Sequence, residues 1–329
     1  MASDNDSKLA ELAELHVHLG SSVDPATMWE IAHAQGIRLP TKDYWQFADM
    51  ITVDKNSRKS FDEYLELFHW TDFIQSSPIA VERAVYQTIA GAYRKNNITK
   101  LELRFNPMKR NRNGEQDLDH IFMAAIRGLD RATLDYPVKA GIIVCLDRKF
   151  EHKLNSILVK KAIKYSSRGV VGIDIAGERN PEFRYEDYKA LYAEAGGAGL
   201  GLTVHAGEEE DHSSVSRVVE NLSPDRIGHG VKAAESEDVM DLLAKHGIVL
   251  ELCPTSNLHT GVVSGIDHLK RIFKAFNSHN VKYTINTDGP EMLKTNLRNE
   301  ISFLIENGII SEKDAASANA LAFSSSFIK

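Results

Sequence analysis

Three observations predict a (β/α)8 TIM barrel with a helical insertion after the first strand. Short apolar runs of strand character alternate with helical stretches, eight such runs can be counted, and no G-x-G-x-x-G or P-loop pattern supports an open doubly wound sheet. The 329 residues, 43% hydrophobic and 26% charged, suit one large barrel, so 1–329 is read as a single domain. Strands with helices outside them are buried on both faces, which explains runs that are apolar throughout rather than alternating.

In chain order the expected strands are 12–18 (LAELHVH), 99–105 (TKLELRF), 138–145 (VKAGIIVC), 169–175 (GVVGIDI), 200–205 (LGLTVH), 225–229 (DRIGH), 247–252 (GIVLEL) and 281–286 (VKYTIN). In the first, alternate side chains share a face, so His16 and His18 stand side by side while Leu15, Val17 and Leu19 pack the other way. Residues 24–98 exceed an ordinary strand connection and are read as a helical lid insertion, with helices over 25–35, 61–75 and 79–95. The lid places Phe61, Tyr64, Leu65 and Phe68 on one helical face, with Trp45 and Trp70 nearby; such residues serve packing, and a lid over an aromatic substrate needs the same types. Glu102 and Arg104 share a face of the second strand and are expected to form a structural ion pair. Ile266, Leu269, Ile272, Phe273 and Phe276 repeat at helical spacing as a core stripe before the eighth strand. Ser256 and Asn257, after the seventh strand, are read either as positioning the metal cluster or its loop or, following Pro254, as common turn residues, the second being favoured. Residues 1–10 are expected to be disordered.

The net charge of −7, with basic stretches no longer than 109–112 (KRNR), argues against a nucleic-acid partner. No apolar run approaches a membrane span, and the start MASDNDSKLAE is polar and acidic, unlike a signal or transit peptide. A cytoplasmic protein is expected. Cys145 and Cys253, the two cysteines, lie in hydrophobic runs and read as buried thiols of a reducing compartment.

Active sites in this barrel sit at the C-terminal ends of the strands. His16 and His18 close the first strand, His205 the fifth and His229 the sixth, and Asp288 follows the eighth. A single histidine among thirteen would be an ordinary core or surface residue, so it is the joint placement at one rim that identifies a site. Three imidazoles and one carboxylate, with a position left for water, match what a single zinc ion or another first-row divalent metal accepts. Water on such an ion ionises near neutral pH; hydrolysis then needs one group to receive its proton and another to protonate what leaves. His229 and Glu208 suit those roles, Glu208 lying three residues past His205 in a glycine-containing turn. Glu209, Glu210 and Asp211 read as solvated charge.

The segments ELHVHL, DIAGE, TVHAGE, RIGHG, LELCPTSN and NTDGP resemble, in order and spacing from residue 14 to residue 290, the signature blocks of the adenosine deaminase family. The resemblance implies a metal-dependent barrel of the amidohydrolase superfamily, a hydrolase of cyclic amidines that replaces the exocyclic amine of a purine with oxygen. It implies zinc ligation by His16, His18, His205 and Asp288, handling of the attacking water by His229, protonation of the ring nitrogen by Glu208, and a backbone contact to the purine at Gly177. Two positions depart from the family pattern. Gly289 stands where a second aspartate would meet the purine, and Gly20 where an aspartate would lie near a ribose 5′-hydroxyl. A milder change puts Glu178 and Arg179 in place of an acidic pair. The loss at position 20 is expected to free space, favouring a 5′-modified nucleoside, a free aminopurine or a related aminated heterocycle over adenosine, with Glu291 or Arg179 as sources of replacement contacts. Two other readings compete. A barrel amidohydrolase of another reaction type is disfavoured because Glu208 and His229 match the deaminase acid and base, and a catalytically silent metal-binding paralogue because ligands, acid and base are all intact.

Overall fold

The computed structural model describes residues 10–53, 61–112, 114 and 117–329. Eight parallel strands run in the order β1 to β8: Leu12–His18, Ile98–Phe105, Lys139–Asp147, Val170–Ala176, Gly201–Ala206, Arg226–His229, Val249–Leu252 and Lys282–Ile285. A bridge between Val17 and Asp288 brings the end of β8 back to β1, and helices fill the connections, giving a (β/α)8 barrel. All eight expected strands are present, with bounds moved by no more than two residues.

Between β1 and β2 lie four helices: α1 (Pro25–Ala34), α2 (Tyr44–Met50), α3 (Phe61–Ile74) and α4 (Pro78–Asn96). The starts of α1 and α4 follow from local chemistry. Asp24 and Ser77 accept hydrogen bonds from the Ala26 and Ala80 amides, and Pro25 and Pro78 occupy first-turn positions that need no N–H. Asn97 ends α4 in the left-handed conformation, at φ 53°. The seven residues of α2, capped by Asp43, were not expected, because fewer than two turns leave no readable periodicity. Tyr64 is buried in a small cluster with Val53, Leu67, Met292 and Leu293, while Trp45 is 74% exposed. Phe61 lies outside the described side chains, as residues 1–9 of the expected disordered start lie outside the described residues.

The barrel interior holds charge where aliphatic layers would be usual. Arg104, Asp174, Glu251, Arg226, Glu102 and Thr203 are each at most 1% exposed. Glu102 and Arg104 do share the inward face of β2, but they do not pair with each other. Arg104 donates to Asp174 and Glu251 (2.8 and 2.7 Å), and Glu102, one layer lower, pairs with Arg226 and the Ser326 hydroxyl. Two residues along a strand span about 7 Å, which puts the two side chains in successive layers of the barrel. The C-terminal tail closes the lower end, with the Phe327 ring 3.6 Å from the Arg226 guanidinium carbon.

Arg226→Met leaves the Glu102 and Glu251 carboxylates without their shared buried partner, and is expected to cost roughly 3–5 kcal/mol of stability in urea unfolding. A cost below about 1 kcal/mol would show that the interior charges are not held by this pairing.

Candidate active site

The strand ends bring the predicted residues together. His16 and His18 project from β1 with ring centroids 5.2 Å apart, and His205 from β5 lies 4.7 and 5.1 Å from them. The His18 and His205 Nε2 atoms are 3.2 Å apart, and Asp288 Oδ1 stands 3.4 Å from His18 Nε2 and 3.7 Å from His16 Nε2. Each outer ring nitrogen of the two buried imidazoles is held by a carboxylate: His16 Nδ1 by Glu251 at 2.7 Å, His205 Nδ1 by Asp174 at 2.9 Å. That fixes which nitrogen faces inward, as carboxylates behind metal-binding imidazoles do.

The inward side is unsatisfied. His16 Nε2 is fully buried and, among the described residues, has no hydrogen-bond partner. An orphaned lone pair in a dry site costs about 1–3 kcal/mol, and a cation among three imidazoles and a carboxylate removes that cost. Burial, helped by Arg104 for His16 and by His205 for His18, pushes both imidazoles well below the usual range, so both stay neutral and able to bind metal. The residues fit one divalent ion. Cys253 also approaches His16 and His229, but burial raises its thiol well above the usual range, which makes it the poorer ligand.

Asp288 is held in the left-handed region (φ 64°), where few residues other than glycine are comfortable. Its amide donates to the His16 carbonyl and its carbonyl accepts from the His18 amide, while Ser256 Oγ and the Tyr64 hydroxyl donate to its Oδ2 at 2.6 and 3.3 Å. His229, at φ 59°, has its Nε2 3.5 Å from Glu208 Oε2. Asn257 serves both, reaching His229 Nδ1 at 3.1 Å and Glu208 Oε1 at 3.4 Å. Ser256 and Asn257 are therefore part of the site rather than turn residues alone. Burial, reinforced by Asp288, drives the Glu208 carboxyl well above its ordinary value, and burial with the nearby His205 drives His229 well below. Burial thus favours the protonated form of the Glu208 carboxyl and the unprotonated form of the His229 ring.

Sequence reading overlooked Glu251 and Asp174, yet each was signalled by an acid inside an apolar strand, in VLEL and in GIDI. Asp211, read as surface charge, caps the helix His212–Leu222.

These groups border a cavity of about 920 Å³, its open mouth included, lined on one side by Tyr64, Leu65, Phe68 and Asp72 of α3 and on another by Gly177, whose backbone has φ 92°. Gly20 lines it as well. Gly289 does not, because Ser21 and Tyr64 stand beside it. The space expected at position 20 is not free. A Cβ there would lie 2.8 Å from the Phe68 ring and 3.0 Å from an Asp72 oxygen, and one at position 289 would lie 2.7 Å from Ser21 and 3.2 Å from the Tyr64 hydroxyl. Tyr64, Phe68 and Asp72 recur every four residues, so one face of α3 occupies the room beside Gly20 and, through Tyr64 behind the nearer Ser21, borders that beside Gly289. Arg179 and Glu291 do not supply replacement contacts. Arg179 is exposed outside the cavity and Glu291 pairs with Lys95 beyond it.

The adenosine deaminase family matches residues 11–329. An adenosine deaminase of Shewanella denitrificans is 29% identical over 295 residues, 89% of this chain and 87% of the relative. Among solved structures, an adenine deaminase of Arthrobacter aurescens superposes with a TM-score of 0.85 at 20% identity, covering 97% of this chain and 94% of its own. An N6-mAMP deaminase of Arabidopsis superposes with 0.81 at 24%, covering 97% and 94%.

Asp174→Asn, which weakens the support of His205 while keeping its shape, is expected to lower metal affinity about 10- to 100-fold in competition with a chelator. Gly20→Asp is expected to displace α3 and lower the melting temperature, since Phe68 and Asp72 meet the new side chain; an unchanged melting curve would show that α3 yields freely.

Proposed function

The chain belongs to the adenosine deaminase family, and is thus a hydrolase of cyclic amidines; from that premise we propose that it is a zinc-dependent deaminase releasing ammonia from an adenosine-like or adenine-derived purine. The observation that carries this reading is the convergence of His16, His18, His205 and Asp288 around the unpartnered His16 Nε2, with Glu208 and His229 beside them.

One zinc ion would be held by those four residues. When bound, such an ion supplies a Lewis acid and makes water acidic near neutral pH. The chain's own groups divide the remaining work. Glu208, protonated because it is buried, donates its proton to a ring nitrogen, which draws electrons from the adjacent carbon and opens it to addition of water. His229, neutral because it is buried, receives one water proton and passes it to the departing amine; as the carbon–oxygen double bond forms, the remaining hydroxyl proton returns to Glu208, so that water is consumed, ammonia leaves and both groups regain their starting states. Asn257 keeps the two side chains at a fixed distance while the proton moves. The Gly177 backbone offers a contact to the purine edge, and Leu65 and Phe68 of α3 give it apolar cover. In this reading residues 24–98 act as a lid whose closure excludes water. No helix among the described residues is long and apolar enough to cross a membrane, and the two free cysteines are buried, which supports work in the reducing cytoplasm.

Glu208→Gln cannot supply the proton and is expected to lower turnover by about 10²-fold or more with bound zinc retained, measured as ammonia release and by elemental analysis. His205→Ala is expected to lose the metal itself. A Glu208→Gln enzyme near the native rate would refute the assignment of the acid.

A further inference from the structure

The strands are not paired evenly up to the rim. β3 and β4 stay in register as far as Asp147 and Ala176, and β5 and β6 as far as Ala206 and His229. Between β4 and β5 the ladder holds only Gly172 with Gly201 and Ile173 with Leu202. Continued in that register it would set Ala176 beside His205, so a seam stands open along Asp174–Ala176, next to the site. Arg148, the first residue past β3, crosses this seam. Its Nη1 donates to the Gly177 carbonyl and its Nη2 to the His205 carbonyl, each at 2.6 Å. The Tyr185 hydroxyl joins them, 3.4 Å from Nη2 and 3.5 Å from the same His205 oxygen. The Arg148 main chain is pinned on the β4 side alone, its amide donating to the Ala176 carbonyl at 3.2 Å and its carbonyl accepting from Asn180 Nδ2 at 2.9 Å.

We propose that Arg148 is a positioning residue for the reaction: its guanidinium spans the open seam and sets how far the Gly177 backbone stands from His205, and with it how the purine edge is aligned to the metal ligands. The proposal rests on the purine deaminase reading above and adds the group that registers its two halves. Arg148 does not line the cavity, whereas Gly177 and His205 both do, so it acts through them and not on the substrate. A ladder would hold two strand ends by backbone hydrogen bonds; where it is missing, a planar fork with charge-assisted N–H groups holds two carbonyls at a set separation. Asp174 fixes the ring of His205 from behind, and Arg148 fixes its main chain. Without the fork, Gly177 keeps its amide and the purine keeps its contact, but the segment that carries them is free to shift against the metal ligands. Binding then survives while alignment is lost.

The zinc-loaded, full-length protein and its Arg148→Ala and Arg148→Lys variants are compared in ammonia release, using whichever of adenosine, its 5′-monophosphate and adenine the native protein turns over fastest, in zinc content, and in calorimetric binding of the deaminated product. Arg148→Ala is expected to lower kcat about 100-fold, the scale of a misplacement near 1 Å, with zinc retained and with KM and product affinity within about threefold of native. Arg148 is half-buried, so a solute can reach the space it leaves. Dilute guanidinium chloride is expected to restore part of the lost kcat, and tetramethylammonium chloride, a cation without N–H groups, to restore none. Arg148→Lys, with its donors on a single nitrogen, is expected to fall between the two. A native kcat in Arg148→Ala, a fall that guanidinium does not reverse, or a fall accounted for by lost zinc would overturn the role. Should Arg148→Ala fail to fold, Arg148→Lys decides: a native kcat there refutes the fork, and a lowered kcat with zinc retained upholds it. An active native enzyme indifferent to both substitutions removes this inference alone, whereas no release from any of the three purines removes the deaminase reading and this inference with it.

Discussion

The site depends on how one buried carboxylate is shared. Glu251, wholly inside the barrel, accepts from His16 Nδ1, Arg104 Nη2 and Arg226 Nε, each at 2.7 Å, and from the Thr203 hydroxyl at 3.1 Å. Burial alone would raise its carboxyl, but Arg104 and Arg226 outweigh that and hold it at about 2. An ion network without water is costly to assemble and costlier to break, because removing any member strands the others. The geometry of the clustered imidazoles inherits that rigidity. His16 is set by Glu251 and His205 by Asp174, and Arg104 ties the two carboxylates together, so the ring nitrogens are held converging on one point.

Burial then works in opposite directions on neighbouring groups. It penalises charge of either sign, so it keeps a proton on Glu208 and off His229, 3.5 Å away. A carboxyl that favours its proton and an imidazole that sheds its own thus arise from a single cause, the dry environment, with Asn257 bridging them. The left-handed backbone at His229 and Asp288 belongs to the same arrangement. Strand ends that continued in extended conformation would carry these side chains past the cavity, and the cost of the turn is borne by the surrounding hydrogen bonds.

Much of this was legible in the sequence, for a physical reason. Strands buried on both faces leave apolar runs, and the barrel puts their C-terminal residues at one rim, so His16, His18, His205, His229 and Asp288 could be grouped without coordinates. What supports them was harder to read. The partners of Glu102 and Arg104 come from strands far apart in sequence, and Ser256 and Asn257 look like any turn until the positions of Asp288 and His229 are known. The consequences of the two glycines were least legible. A missing side chain reads as vacant space, but the space beside Gly20 is taken by Phe68 and Asp72 of α3, more than forty positions away, and that beside Gly289 by Ser21 and Tyr64, more than two hundred positions away, and only the fold brings them together.

That difference in legibility reflects a division of labour. The groups proposed for the reaction stand on strands whose positions the barrel fixes, and their spacing in sequence carries their spacing in space. The facing wall of the cavity is built from α3 and the segment after β2, where Asp72 and Arg110 meet at 2.7 Å. Changes there must compensate one another in three dimensions: glycine at 20 is required by Phe68 and Asp72, glycine at 289 by Ser21 and Tyr64, and Asp72 in turn orients Arg110. An aspartate at position 20 would therefore push against the helix that shapes the cavity. Gly20, Gly289 and α3 thus constrain one another through Phe68, Asp72 and Tyr64, a coupling that no single rim residue carries alone.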